Sequence, residues 1–273
     1  MSWVSFDPFR TLGFADTTIL KAEHFFKAKA DIEAAQWVLF PEYWQVNALV
    51  YGMQAHIFPS HASYLLGHNK IEMTRAFLCV APQHVPETHI LANTEHHAEE
   101  LWQHMATPFV AKLPRSSQGQ GVWLIEKRRD WQSYLAQTDI LYVQEYLPID
   151  RDIRIVIIGE QLVAAYWRLQ SADGFHNNIA QGGSVDYSPV PQAAIDLALQ
   201  VAARLDINHA GFDIAMVAGH PYLLEFNRLF GNQGIPGGSQ QLRELIFDYL
   251  VKSSTPPGPN YPDIRPPRFP RAA

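Results

Sequence analysis

The sequence predicts a mixed α/β protein. Short apolar runs closed by proline or glycine read as buried strands, and the last third holds two strand–turn–strand patterns. Ala194, Leu197, Ala198, Val201, Ala202 and Leu205 recur at the spacing of one amphipathic helical face.

The elements follow in order. Residues 1–68 read as a short α/β N-terminal unit. Lys21 to Ala35 has helical periodicity, Trp37-Val38-Leu39-Phe40 is a strand ended by Pro41, and Ile57-Phe58-Pro59 is a second short strand. Asn69 precedes a helix that ends near Ala81, before Pro82. Thr94 is an N-cap for the helix containing Glu99, Glu100, Leu101 and Trp102. Strands are expected at Phe109–Leu113, Val122–Ile125 and Leu141–Glu145. Ile153–Ile158 and Gln161–Leu169 flank Gly159-Glu160, a two-residue hairpin signal, and Gly211–Asn227 reads as another hairpin. From Ser253 onward seven of 21 residues are proline, which predicts an extended tail over 253–273.

Composition narrows the function. The chain has 273 residues, 47% hydrophobic and 18% charged, enough for a packed core. A net charge of −6 gives no basic excess for nucleic acid, so an anionic ligand must be met by local Lys and Arg. The single cysteine, Cys79, excludes an intrachain disulfide and a multi-cysteine zinc site. Its run Ala76-Phe77-Leu78-Cys79-Val80 places it in the core. No basic-then-apolar leader opens the sequence, and no stretch approaches the ~18 apolar residues of a membrane span, so a cytoplasmic protein is expected. Among twelve histidines, the adjacent His96 and His97 read as exposed.

Two segments carry chemistry. With Ala218-Gly219-His220 as a three-residue loop, Val217 faces Pro221 and Asp213 faces Glu225. Phe212, Ile214, Met216, Tyr222, Leu224 and Phe226 then share the core face, and Asp213, Ala215, Leu223, Glu225 and Asn227 the other. Two opposed carboxylates repel, so a cation should lie between them, and an all-oxygen set suits Mg²⁺. A solvated sheet face with an accidental Asp–Glu pair would look the same. The second segment sets Lys112 in an apolar strand before Ser116, Ser117, Gly119 and Gly121. Glycines there let backbone N–H groups approach a phosphate, though an ordinary hairpin loop has the same composition.

Taken in order, the segments resemble the ATP-grasp superfamily, in the RimK-like branch of the ribosomal protein S6 glutamate ligase. The matching residues are Phe109-Val110-Ala111-Lys112 with Gly119-Gln120-Gly121-Val122, and Val143-Gln144-Glu145-Tyr146-Leu147. Asp152-Ile153-Arg154 leads into Val163-Ala164-Ala165-Tyr166-Trp167-Arg168, followed by Asn177-Asn178 and Gly182-Gly183. Ala210-Gly211-Phe212-Asp213-Ile214 and Leu224-Glu225-Phe226-Asn227 complete the set. The resemblance runs from about residue 69 to 235.

It implies an ATP-grasp fold, two α+β subdomains clasping ATP over residues 69–252. Residues 69–145 would carry the lid and 146–252 the metal. Lys112 and Lys70 would touch the phosphates, and Ser117, Gly119 and Gly121 would lie in the closing loop. Glu145, Tyr146 and Leu147 would run along the adenine and Asp152 would meet the ribose. Asn178 would lie beside the phosphates, and His176, where relatives carry arginine, would contact the nucleotide or the acid substrate, or simply line the loop. Arg168 would bind the transferred phosphate, with Lys112 as its catalytic companion. Asp213, Glu225 and Asn227 would hold one or two Mg²⁺ ions, with Mn²⁺ as the substitute.

The activity implied is ADP-forming carboxylate–amine ligation through an acyl phosphate, on a peptide or small-molecule acid and an amine. No nucleic acid or membrane partner is expected, and a homo-oligomer is open. A kinase of a small-molecule acceptor and a non-catalytic ATP-binding regulator are the alternatives. Arg228-Leu229-Phe230-Gly231 replaces the small residues and proline that follow Asn227 in relatives, and Gln181 replaces a basic residue. Substrate identity is therefore not carried over.

Overall fold

The computed structural model describes residues 2–115, 121–169 and 184–253. Two compact units emerge, Met1–His61 with Phe247–Ala273, and Ala62–Ile246.

The first unit holds β1 (Trp3–Ser5), β2 (Thr17–Ile19), α1 (Lys29–Ala34), β3 (Trp37–Leu39), α2 (Tyr43–Asn47) and β4 (Ile57–Phe58). Its strands are parallel in the order β2-β1-β3-β4, so each connection must cross over; helices fill the β2–β3 and β3–β4 crossovers, and turns the β1–β2 one. Trp3 packs edge-on against Phe14 and Phe247. The helix expected over 21–35 is not continuous: a 3₁₀ turn at Ala22–His24 precedes α1. Phe25, Ala28 and Ile32 are nevertheless buried. Two short helical pieces deliver that apolar stripe as well as one long helix would, so periodicity alone did not reveal the break.

The second unit holds two antiparallel sheets, each covered by helices. From α3 (His61–Leu66) the chain enters α4 (Lys70–Val80), β5 (Thr88–Ala92), α5 (Glu95–His104), β6 (Phe109–Lys112), β7 (Val122–Ile125), α6 (Arg128–Leu135) and β8 (Ile140–Glu145). The Asn69 side chain accepts from the Ile71 N–H and the Thr94 hydroxyl from the His97 N–H, so both helix starts are capped as expected. The sheet order is β5-β8-β6-β7. Its helix-covered side is built from Leu101, Phe109, Ala111, Ile125, Trp131, Tyr134, Leu141 and Val143.

There follow β9 (Arg151–Ile158), β10 (Gln161–Leu169), β11 (Ser184–Asp186), α7 (Gln192–Arg204), β12 (His209–Val217), β13 (His220–Asn227) and α8 (Gly238–Lys252). The order is β11-β10-β9-β12-β13. Met73 and Phe77 of α4, with Leu197, Ala198 and Val201 of α7, cover Ile153, Ile155, Ile157, Phe212, Ile214 and Phe226.

Cys79 corrects an expectation. It is exposed, because α4 buries Ile71, Met73, Thr74 and Phe77 and the helical period turns residue 79 away from that stripe. His96 is exposed, whereas His97 is half-buried, with Nδ1 3.0 Å from the Ala92 carbonyl. No helix among the described residues is long and apolar enough to cross a membrane. The proline-rich stretch 254–273 lies outside the described residues.

Candidate functional site

Strand alternation sorts β9 into two faces. Ile153, Ile155 and Ile157 enter the core, so Asp152 and Arg154 stand on the opposite face. Across the ladders, Asp152 pairs with Arg168 of β10, Arg154 with Asp213 of β12, and Asp213 with Glu225 of β13. The side chains realise this register. Arg168 donates from Nε and Nη2 to both Asp152 oxygens at 2.7 and 2.6 Å, and Nη2 lies 2.9 Å from Asp213 Oδ2. Arg154 donates to both Asp213 oxygens at 2.6 and 3.2 Å.

All four residues are buried, so the cluster replaces water by charge-assisted hydrogen bonds. Burial pushes the Asp152 carboxyl up, and the Arg168 guanidinium pulls it down. Arg168 itself is held cationic, because Asp213 and Asp152 outweigh its desolvation. A guanidinium offers only donors, so two short bonds to one carboxyl require that carboxyl ionised. Arg168 thus engages both Asp152 oxygens, a geometry that orients the guanidinium.

Two bulges set this register. The β12–β13 loop has two residues, Ala218 and Gly219, not three, and Val217 pairs with His220 rather than Pro221. A β-bulge then shifts the pairing from Ile214↔Leu223 to Asp213↔Glu225. The extra residue restores the opposed carboxylates but exchanges the faces nearer the loop. Leu223, not Leu224, enters the core, and Tyr222 pairs with Ala215 on the charged side. The β9–β10 hairpin has the same device between Leu162 and Ala164, which brings Arg168 rather than Trp167 opposite Asp152.

Glu225 lies beside the buried cluster and is half-buried. Lys70, at the start of α4, places Nζ 3.4 Å from Glu225 Oε2, and Asn227 donates to Oε1 at 3.3 Å. Lys112 comes from the other sheet. In β6, Phe109 and Ala111 enter the core, so Val110 and Lys112 face away from it. Lys112 Nζ donates to Gln144 Oε1 at 2.7 Å, and Gln144 in turn donates to Thr88 Oγ1. Burial lowers the Lys112 amine to about 8; Glu225 opposes that fall and Lys70 adds to it. Three carboxylates and four cationic side chains thus lie together: Asp152, Asp213 and Glu225 with Arg154, Arg168, Lys70 and Lys112. The excess positive charge suits an anion.

Lys112 opens a loop whose far end is Gly121. Gly121 sits at φ +74°, where a side chain would be strained, and its carbonyl accepts from the Leu113 N–H. β6 and β7 pair antiparallel, so this is a hairpin loop. Ser117 and Gly119 lie outside the described residues, as do His176, Asn178, Gln181 and the Gly182-Gly183 pair. Glu145 ends β8; its N–H bonds the Glu87 carbonyl and its Oε1 accepts from the Glu87 N–H. Tyr146 and Leu147 follow, half-buried and outside the strand. Arg228 lays its guanidinium 4.4 Å over the Tyr64 ring.

Sequence reasoning did not single out Arg154 or Gln144. Arg154 was signalled by its i, i+2 spacing from Asp152 in an isoleucine-rich strand. Gly211 shows how tightly Arg154 is held: an added Cβ would meet its Cδ and Nη1 at 3.0 Å and Phe230 Cβ at 3.1 Å. Gly211→Ala is expected to cost about 1–3 kcal/mol by overpacking. Thermal unfolding of that variant checks it; an unchanged midpoint would show that Arg154 can move aside.

The family model of the RimK-like ATP-grasp domain matches residues 68–241. The chain belongs to the RimK-like ATP-grasp family. A ribosomal protein bS6–L-glutamate ligase from Salmonella paratyphi B is 33% identical over 134 residues, 47% of this chain and 45% of that ligase. The match thus spans less than half the length of that curated relative. Among solved structures, the RimK domain ATP-grasp protein from Sphaerobacter thermophilus superposes with a TM-score of 0.68 at 15% identity. It covers 91% of this chain and 99% of that one. D-alanine–D-alanine ligase from Bacillus anthracis gives 0.70 at 12% identity, covering 93% and 97%. Both carry the ATP-grasp fold expected from the ordered motifs.

Proposed function

We propose that the chain binds Mg²⁺-ATP and joins a carboxylate to an amine through an acyl phosphate, releasing ADP. The observation that carries this reading is the Asp213–Glu225–Asn227 oxygen set ringed by Lys70, Lys112 and Arg168. The donor chemistry fits a hard cation. Asp213 meets three guanidinium donors, and a carboxylate has about four acceptor directions, so one remains for single-point ligation. Bound magnesium would neutralise charge on the nucleotide phosphates.

The protein's own groups position and neutralise. Lys112 and Lys70 meet the phosphates, and the loop with Ser117, Gly119 and Gly121 covers them. Glu145, Tyr146 and Leu147 run along the adenine, with His176 against the nucleotide and Asn178 beside the phosphates. Asp152 fixes Arg168, whose Nε and Nη2 face carboxylates, so its Nη1 is presented to the transferred phosphoryl group. In this reading residues 69–145 bear the lid and 146–252 the metal.

The substrate carboxylate oxygen attacks the γ-phosphorus, and the bond to the ADP oxygen breaks. The amine then attacks the acyl carbon, phosphate leaves, and the nitrogen loses a proton. The bS6–L-glutamate ligase relative is named for joining glutamate to a protein. That supports a peptide carboxylate and an amino acid as the first substrates to try. A cytoplasmic setting would supply ATP and Mg²⁺.

ADP release over a panel of acids and amines tests the reading, with hydroxylamine to trap the acyl phosphate as a hydroxamate. ADP and phosphate should form only with acid and amine together, and a hydroxamate when hydroxylamine replaces the amine. A stable phosphorylated product would instead identify a kinase. Nucleotide binding without ADP under every mixture would identify a regulatory binder.

A further inference from the structure

We propose that Glu87, His89 and His104 form a separate site for a borderline divalent cation of the Zn²⁺ class. Glu87 immediately precedes β5, His89 lies within it, and His104 is the last residue of α5. Strand and helix end bring both imidazoles to one carboxylate oxygen. Nε2 of His89 is 2.8 Å and Nε2 of His104 is 3.1 Å from Glu87 Oε1. The three ligand atoms all lie within 4.8 Å of one another. The rings meet edge to face, 5.1 Å between centroids and 80° between planes, so they converge on the carboxylate instead of stacking.

These distances approach what a zinc site needs. Ligands at about 2.0–2.1 Å around a tetrahedral ion stand roughly 3.3 Å apart. Two of the three separations are near that value already.

Two imidazole nitrogens and one oxygen favour zinc, nickel or copper over magnesium, which distinguishes this set from the oxygens of Asp213, Glu225 and Asn227. Three protein ligands leave a position for water. The scaffold is firm on the strand side. Glu87 exchanges backbone and side-chain hydrogen bonds with Glu145, and His89 pairs with Val143 in the ladder. A bound ion would therefore clamp the end of α5 to β5.

The test titrates Zn²⁺ alone into the full chain by calorimetry, under excess Mg²⁺ to occupy the oxygen set. One Zn²⁺ per chain should bind. His89→Ala and His104→Ala should each weaken it at least about tenfold, since loss of outer-shell partners alone costs that much. Cu²⁺ bound to the unaltered chain should show electron-spin coupling to two nitrogens, falling to one in either variant. Unchanged zinc affinity in both variants, or a copper spectrum that neither alters, would mean adventitious binding by other histidines and would overturn the site.

Discussion

Asp213→Ala is expected to destabilise the fold strongly, not merely to empty a metal position. The Asp213 carboxylate answers Arg154 and contacts Arg168, and all three side chains are nearly inaccessible. Removing one partner of such a buried pair typically costs about 3–5 kcal/mol. That is a large part of the ~5–15 kcal/mol that holds an ordinary domain together. Urea unfolding should show a midpoint far below that of the parent chain.

Glu225→Gln makes the contrast. Its side chain is 31% exposed and its ion pair is the 3.4 Å contact to Lys70. Stability should change by no more than about 1 kcal/mol. ADP release should nevertheless fall on the order of a hundredfold, because an anionic ligand of the proposed Mg²⁺ is lost, and with it charge neutralisation at the phosphates. Equal destabilisation by the two variants would show that Asp213 and its arginines are not the structural core of the site.

Nucleotide affinity is expected to weaken as pH rises through about 8, and Lys112→Met to abolish that dependence. The free protein's Lys112 amine begins to lose its proton near pH 8 because burial disfavours the cation. Phosphates favour the charged form, so nucleotide binding above that pH takes up a proton. Calorimetry in two buffers of different ionisation enthalpy should register the uptake. Turnover of Lys112→Met should drop on the order of a hundredfold or more, as for other lost electrostatic donors.

Folding responds with the opposite sign. The unfolded lysine keeps its proton to higher pH than the folded one, so stability contributed at this position rises with pH from about 8 towards the ordinary lysine range. Affinity that stays flat across this window would remove Lys112 from the phosphates.

Much of this geometry is visible in residue spacing, and the register failures have one physical source. Helix starts at Asn69 and Thr94 are local, because a side chain caps the turn beside it, and they were legible. The Asp213–Glu225 opposition was also legible, although the loop assigned to it was one residue too long; the bulge at Leu224 compensated. The Asp152–Arg168 opposition was not, since counting back from Gly159-Glu160 puts Trp167 there. A bulge inserts one residue without changing composition or turn signal, so period-two reasoning holds only between bulges. Gln144 was hidden for another reason. Its role depends on Lys112 from a neighbouring strand, and one-strand periodicity does not pair side chains across strands.

The ladder of Asp152, Arg168, Asp213 and Arg154 bears on the cost of moving charge. In water, a migrating phosphoryl group drags a shell of dipoles that must turn with it. Here the guanidinium and carboxylate directions are fixed by two β-ladders and a packed isoleucine face. Orientation is completed when the sheet forms, so the proposed reaction would meet an environment of low reorganisation energy. The site's catalytic competence and its folding cooperativity would then be one property, and variants that loosen the sheet should slow chemistry without touching a ligand.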